Sequence, residues 1–358
     1  MRIKIRLIND EYIDEKGKIK EEHKFSINYP QMKIQNSKIL GKPEDKFETM
    51  LFLPEGEGRK GEGGLRTKGY FKFSYVWNED IWWITDLEGK PVIPAPEEIQ
   101  DKIKDYINAY LEYYEKDIPL YLKPKFQHRK SKYPYFTNLP LITVIIVVFN
   151  AEKYLEKALQ SVINQIYPNI EYIIIDGGST DGTLDIIKKY EDFIDYWVSE
   201  KDEGIYDAMN KGVKCSLGDY LYFLGADDVV ISENVFSSIF IEEMDSIKDS
   251  KLVYGNVIFK DNADIYDGKF STYKLRFKNI CHQAIFYKAE LFKKLGLYNT
   301  KYKIWADYER NVRFWRVSNP TYINKAIAIY RRAGASSSIE LDKDFFADYE
   351  EIMAWLRI

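Results

Sequence analysis

Tyr220-Leu221-Tyr222-Phe223-Leu224-Gly225-Ala226-Asp227-Asp228 carries an apolar run straight into a pair of aspartates. A short apolar run bounded by glycine reads as a buried strand. Upstream, Ile173-Ile174-Ile175 likewise stops on a carboxylate, Asp176. Carboxylates at the carboxyl ends of buried strands stand where open α/β sheets bind their ligands. Adjacent aspartates repel each other, and a divalent cation with oxygen ligands relieves that repulsion. The pattern points to a site for a metal and a phosphorylated ligand.

From Leu141 onward, strand and helix patterns alternate. Leu141–Val148 reads as a buried strand, followed by a helix from about Ala151 to Gln165. Tyr172–Ile175 leads through Asp176-Gly177-Gly178-Ser179-Thr180-Asp181-Gly182 into a helix reaching Tyr190. Tyr196–Val198 precedes a helix over 204–214. Such alternation predicts an α/β fold with a mostly parallel, Rossmann-like sheet and flanking helices.

Residues 1–122 have shorter, mixed periodicity. Strands are expected at 2–8, 47–53, 69–76 and 81–85, and a helix over 97–114 behind Pro96. The Gly-rich run Glu55 to Gly64 reads as a mobile loop. The expected organisation is a small α+β accessory domain at 1–122, a basic–aromatic linker at 123–140, the α/β domain at 141–334 and a helical segment at 335–358. The linker interleaves Lys123, Lys125, Arg129, Lys130 and Lys132 with Phe126, Tyr133, Tyr135 and Phe136. That mixture suits an anionic membrane surface, and equally a solvated linker.

Bulk properties narrow the function classes. A net charge of −4 argues against a nucleic-acid partner, which calls for a basic excess. Two cysteines are too few for a disulfide framework and fit a reducing compartment. The first residues alternate charge with apolar side chains, unlike a signal peptide. The longest apolar run, Leu139 to Phe149, falls short of the ~20 residues that span a bilayer. The expected location is cytoplasmic, with peripheral contact at the inner face of the membrane left open.

The turn Asp176-Gly177-Gly178-Ser179-Thr180-Asp181-Gly182-Thr183 follows a strand and opens a helix, yet it is not GxGxxG, so dinucleotide binding is disfavoured. Asp176 is placed to accept hydrogen bonds from a base or ribose; a plain capped βα turn explains the same residues. For Asp227-Asp228, a solvated pair ahead of the next helix is the corresponding bland explanation.

Taken together, VVFNAEKYLEKALQSVINQ (147–165), YIIIDGGSTDGTLDII (172–187), SEKDEGIYDAMNKG (199–212) and GDYLYFLGADD (218–228) resemble the bacterial family-2 glycosyltransferases of the GT-A fold. CHQAIFYKAELFKKLGLYN (281–299) and WADYERNVRFW (305–315) extend the resemblance, in family order, over roughly 141–334. It implies an inverting, metal-dependent enzyme moving a sugar from a nucleoside-diphosphate donor, a UDP-sugar first, to a hydroxyl on a glycan or lipid-linked acceptor.

By this resemblance, Phe149 would lie beside the base and Asp176 would bind its polar edge. Ser199, Glu200 and Asp202 would border the nucleotide pocket, and Asp207 and Asn210 would face the sugar-diphosphate side. Asp227 and Asp228 would hold Mg²⁺ or Mn²⁺, Asp227 also facing the donor. Relatives often show Asp-x-Asp-Asp where this chain has Gly225-Ala226-Asp227-Asp228, so one acid is missing. Asp307 would be the general base, with Ala306 where many relatives carry a second acid and Glu309 as understudy. His282 and Gln283 would line the acceptor side. Arg331 or Arg332, in a loop like the one that closes over the diphosphate, would pair with phosphate oxygens. Two other functions share these features. A sugar nucleotidyltransferase would need a Gly-rich basic loop after the first strand, which Phe149-Asn150-Ala151-Glu152 does not supply. A non-catalytic nucleotide-sugar binding module stays open because of the missing acids.

Overall fold

Ile142–Val148 is an unbroken apolar and β-branched run, and it forms a strand with every residue buried, as a strand covered on both faces requires. The computed structural model describes residues 2–4, 39–40, 48–50, 52–68, 74–78, 81–85, 91–94, 140–167, 170–331 and 342–356. The chain divides into two units. One holds Met1–Lys24, Phe71–Leu141 and Pro168–Ile170; the other holds Phe25–Tyr70, Ile142–Tyr167 and Glu171–Ile358.

In the smaller unit, Arg2–Lys4, Ser74–Asn78, Ile81–Thr85 and Pro91–Pro94 form a four-stranded antiparallel sheet. The strands expected near 2–8, 69–76 and 81–85 fall there. The one expected at 47–53 is Glu48–Thr49, paired with Ile39–Leu40. The helix expected over 97–114 and the basic–aromatic run 123–136 lie outside the described residues.

The larger unit is built on a ten-stranded sheet. In chain order its strands are β1 (Gly61–Gly63), β2 (Ile142–Val148), β3 (Ile170–Asp176), β4 (Tyr196–Ser199) and β5 (Tyr220–Gly225). They continue as β6 (Val229–Val230), β7 (Leu252–Phe259), β8 (Ile265–Tyr266), β9 (Ile285–Lys288) and β10 (Thr321–Tyr330). The spatial order is β6-β10-β7-β9-β5-β2-β3-β4-β1, with β8 on β7. β3 with β4, β2 with β5 and β7 with β10 pair in parallel. β9 returns antiparallel to both β5 and β7, and β1 is antiparallel to β4. The sheet is therefore mixed rather than mostly parallel, because β9 enters between β5 and β7 and runs back against both. The parallel part carries both strand ends that bear aspartates.

Helices cover this sheet where the apolar spacing is helical. α1 (Leu155–Ile163) buries Leu155, Ala158, Leu159 and Val162, one stripe at 3.6-residue spacing. α2 (Thr183–Lys189) follows the DGGSTDG turn. α3 (Ile205–Cys215) packs so closely on β2 that a Cβ on Gly212 would stand 2.5 Å from Ile145 Cγ2. α4 (Ala289–Leu295) and α5 (Ala306–Ser318) complete the half after Asp228.

Two sequence expectations are corrected. Glu55–Gly64 is not a free loop, since β1 within it closes the sheet edge with Gly61, Glu62 and Gly63 opposite Ser199, Val198 and Trp197. Just after it, Arg66 is buried 2.6 Å from Glu171 and donates to the Cys215 carbonyl. Residues 52–68 thus belong to the larger unit, not to one accessory domain over 1–122. A glycine-rich strand pairs through its backbone and leaves no side-chain alternation to read. The C-terminal helices α6 (Lys343–Ala347) and α7 (Tyr349–Ala354) also pack within the larger unit, Phe345 sitting edge-on to Trp305. No helix among the described residues is long and apolar enough to cross a membrane.

Candidate functional site

At the end of β3, Asp176 is fully buried. Its Oδ2 accepts from the Ser179 amide at 3.0 Å and from Ser199 Oγ at 2.5 Å, and its Oδ1 accepts from Ser179 Oγ at 2.5 Å. Both oxygens are engaged by the chain itself, so the carboxylate expected to bind a base holds the turn together, and Ser199 acts with it. The neighbouring turns are latched as well. Asn150 donates its amide to Ser179 Oγ and accepts from the Thr180 amide, both at 2.8 Å. Glu152 accepts from the Gly182 amide at 2.8 Å, and Asp181 accepts from the Thr183 amide at 3.0 Å. Phe149, which follows β2, is 62% exposed and presents an open ring face there.

Glu200 follows β4 and is buried. It accepts from Arg59 Nε at 2.9 Å and from the Gly56 amide at 3.1 Å, and Lys211 Nζ lies 2.9 Å away. Burial pushes the Glu200 carboxyl up, but the hydrogen bonds from Lys211 and Arg59 outweigh it and hold it below the usual range. Asp202 accepts from the Gly204 amide at 2.9 Å, and burial, with the charges of Asp207 and Asp176, raises its carboxyl. Asp207 lies partly exposed in the first turn of α3, 3.7 Å from Lys211 Nζ. Asn210 differs from expectation. Its side chain donates to the Tyr298 carbonyl at 3.0 Å and accepts from the Tyr298 amide at 2.9 Å, a clamp on the backbone of another segment.

At the end of β5 the balance changes. Asp228 is buried and accepts from Gln283 Nε2 at 2.7 Å and from the Arg331 amide at 2.8 Å. Burial, with the adjacent charge of Asp227, pushes its carboxyl up to about 6. Asp227 is raised too, chiefly by burial, with Arg331, His282 and Lys260 pulling it back. Two crowded carboxylates whose ionised forms are disfavoured fit a divalent cation, and their hard oxygens suit Mg²⁺ or Mn²⁺. Among the described residues no cluster of three or more His, Cys, Asp or Glu offers a complete metal shell. The Arg331 guanidinium lies over the Tyr154 ring, 3.9 Å from its centroid. Arg332 and residues 333–341 lie outside the described residues.

One short turn joins this end to Asp307. The 3-10 helix His282–Ala284 directs Gln283 to Asp228, while His282 Nδ1 lies 3.5 Å from Asp307 Oδ2. Asp307 stands in the first turn of α5 without capping it. Its Oδ2 accepts from Asn279 Nδ2 at 3.0 Å, and its Oδ1 lies 3.2 Å from the Tyr206 hydroxyl. Asn279 is aligned in turn by Asn311 Nδ2 at 2.8 Å, and Asn311 accepts from the Tyr287 hydroxyl at 2.6 Å. Asp342, before α6, accepts from the Ile304 and Trp305 amides and fixes the approach to α5. Glu309, the expected understudy, is instead clasped by Arg313, with Arg313 Nε 2.9 Å from its Oε1. One helical turn links that pair, and it leaves Asp307 as the acid turned toward His282.

Sequence reasoning missed Tyr206, Asn279 and Asp342, which hold Asp307 and its helix, and Arg59, which holds Glu200. Tyr206 lies inside the quoted GIYDAMNKG block, and Asn279 sits three residues before His282, so those two had a positional signal. The other two had none.

Residues 143–296 match the family model for glycosyl transferase family 2. A PGL/p-HBAD biosynthesis glycosyltransferase of Mycobacterium bovis is 38% identical over 216 residues, 58% of this chain and 82% of that one. An uncharacterized glycosyltransferase of Rickettsia prowazekii is 30% identical over 225 residues, 60% of this chain and 70% of that one. The crystal structure of S. aureus TarS residues 1–349 in complex with UDP superposes with a TM-score of 0.50 at 17% identity. That superposition covers 60% of this chain and 65% of that one, and it shows a shared GT-A fold. On these matches the chain belongs to glycosyl transferase family 2.

Proposed function

We propose that this glycosyltransferase is an inverting enzyme that moves a sugar from a nucleoside-diphosphate donor to a hydroxyl acceptor, with Asp307 as general base. The observation that carries the reading is the turn 282–284, whose consecutive side chains reach Asp307 and Asp228. It ties a proton acceptor to the carboxylate pair suited to the leaving group's cation. Asp307 would take the acceptor's proton as the acceptor oxygen attacks the anomeric carbon, and the nucleoside diphosphate departs from the opposite face. Asn279 and Tyr206 hold the carboxylate in one orientation, which favours a single attack geometry. Gln283 and the Arg331 amide orient Asp228 in the same way. A bound Mg²⁺ or Mn²⁺, held by Asp227 and Asp228, would supply Lewis-acid neutralisation of the diphosphate.

A UDP-sugar donor fits the solved relative bound to UDP. A glycan- or lipid-linked hydroxyl fits the mycobacterial relative named for PGL/p-HBAD biosynthesis. The Asp307→Asn variant tests the assignment. Transfer, followed as release of nucleoside diphosphate in the presence of Mn²⁺ and acceptor, should fall by about 10²–10⁴-fold. Calorimetric affinity for donor nucleotide should stay within about twofold, because Asp307 acts on the acceptor. Transfer at the wild-type rate would remove Asp307 from the role of base.

A further inference from the structure

Lys60 lies outside the stretch matched by the family model and immediately precedes β1. Its backbone amide donates to the Ser199 carbonyl at 2.8 Å, which fixes it at the carboxyl end of β4. Its ammonium donates to the carbonyls of Gly178 and Ser179, both at 2.8 Å. These belong to the turn that Asp176 organises. The segment that carries Lys60 is anchored on both sides. β1 pairs with β4, Arg59 is ion-paired with Glu200, and the Arg66–Glu171 pair is buried on both sides.

Two facts give this ammonium a further task. Asp176, the acid expected to meet the base, has both oxygens taken by Ser179 and Ser199. Reading a base at this strand end therefore needs another polar group. The Lys60 ammonium has three donors, of which two are used on neutral carbonyls, and no carboxylate among the described residues pairs with it. It is exposed, so the third donor is accessible at the face where a ligand of an α/β sheet lies.

We propose that Lys60 is a specificity-determining residue that donates to a carbonyl oxygen on the base of the nucleotide donor. Such a donor favours bases with a carbonyl at the polar edge, as in uracil, over those with an amino group there, as in cytosine. The inference rests on the nucleotide-donor reading above.

UDP and CDP differ at that edge of the base and share ribose and diphosphate, so their affinity ratio isolates the contact. Calorimetry on the full chain with Mn²⁺ should show UDP bound about tenfold or more tighter than CDP, the scale of a hydrogen bond from a charged donor. In Lys60→Met the ratio should fall to near one. Because the ratio is taken within one protein, a general loosening of the turn cancels from it. A wild-type protein indifferent to the two nucleotides, or a Lys60→Met ratio equal to wild type, would overturn the proposal. A wild-type protein that binds no nucleoside diphosphate would instead sink the donor reading itself.

Discussion

At the end of β3, Asp176 meets three hydrogen-bond donors from its own chain; at the end of β5, Asp228 meets two, Gln283 Nε2 and the Arg331 amide, with the charge of Asp227 beside it. Both are strand-end carboxylates of one parallel arrangement, half to fully buried. The first is fully satisfied and works as a strut for the surrounding turns. The second also accepts on both oxygens, yet burial and the like charge of Asp227 still raise it. What separates the two ends is like charge beside a buried carboxylate, an arrangement that marks a candidate functional site.

The sharpest break of this contrast is a pair of alanine substitutions. Asp176→Ala leaves the Ser179 amide and the Ser179 and Ser199 hydroxyls without their buried acceptor. It should destabilise the protein by about 3–5 kcal/mol, read from the denaturant midpoint. Asp227→Ala removes a carboxylate whose ionised form the fold disfavours, so stability should hold or rise while Mn²⁺-dependent nucleotide binding is lost. Equal losses of stability in the two variants would erase the distinction.

A second, smaller effect concerns pH. The Asp228 carboxyl is raised from 3.8 to about 6 in the fold. The fold favours its neutral form relative to the unfolded chain, so its contribution to stability is complete below about pH 4 and is lost as pH rises through about 6. Cation binding needs the ionised form and therefore runs the other way. Affinity for Mn²⁺ with UDP should be level above pH 7 and should fall about tenfold per unit below pH 6. Calorimetry from pH 5 to 8 reads this directly. A flat profile would show that Asp228 is not a ligand.

Much of this contrast was legible in the sequence, though not its polarity. Ile173–Asp176 and Tyr220–Asp228 announced buried strands ending in acids, because period and composition are local properties. What each acid does depends on partners far along the chain. Ser199, which engages Asp176, is 23 residues away, and Gln283, which engages Asp228, is 55 away. The same limit explains Asn210 and Glu309, whose partners, Tyr298 and Arg313, were not foreseen. It explains residues 52–68 most plainly. Arg66 meets Glu171 across 105 residues of sequence, and a Gly-rich run offers no pattern to predict it.

The smallest prediction tests whether the strut side is also held by backbone strain. Asn150 adopts φ +49°, a left-handed conformation that glycine accepts freely and alanine does not. Its side chain also accepts from the Thr180 amide at the surface. Asn150→Gly loses that acceptor and keeps the conformation, whereas Asn150→Ala loses both. Asparagine itself tolerates the left-handed region better than most residues, so the glycine variant should lie within about 0.5–1 kcal/mol of wild type. The alanine variant should fall a further 1 kcal/mol or so below it. If alanine and glycine prove equal by denaturant midpoint, the latch rests on its hydrogen bonds alone. If alanine is the lower of the two, the Asp176 side is fixed by conformation as well as by donors.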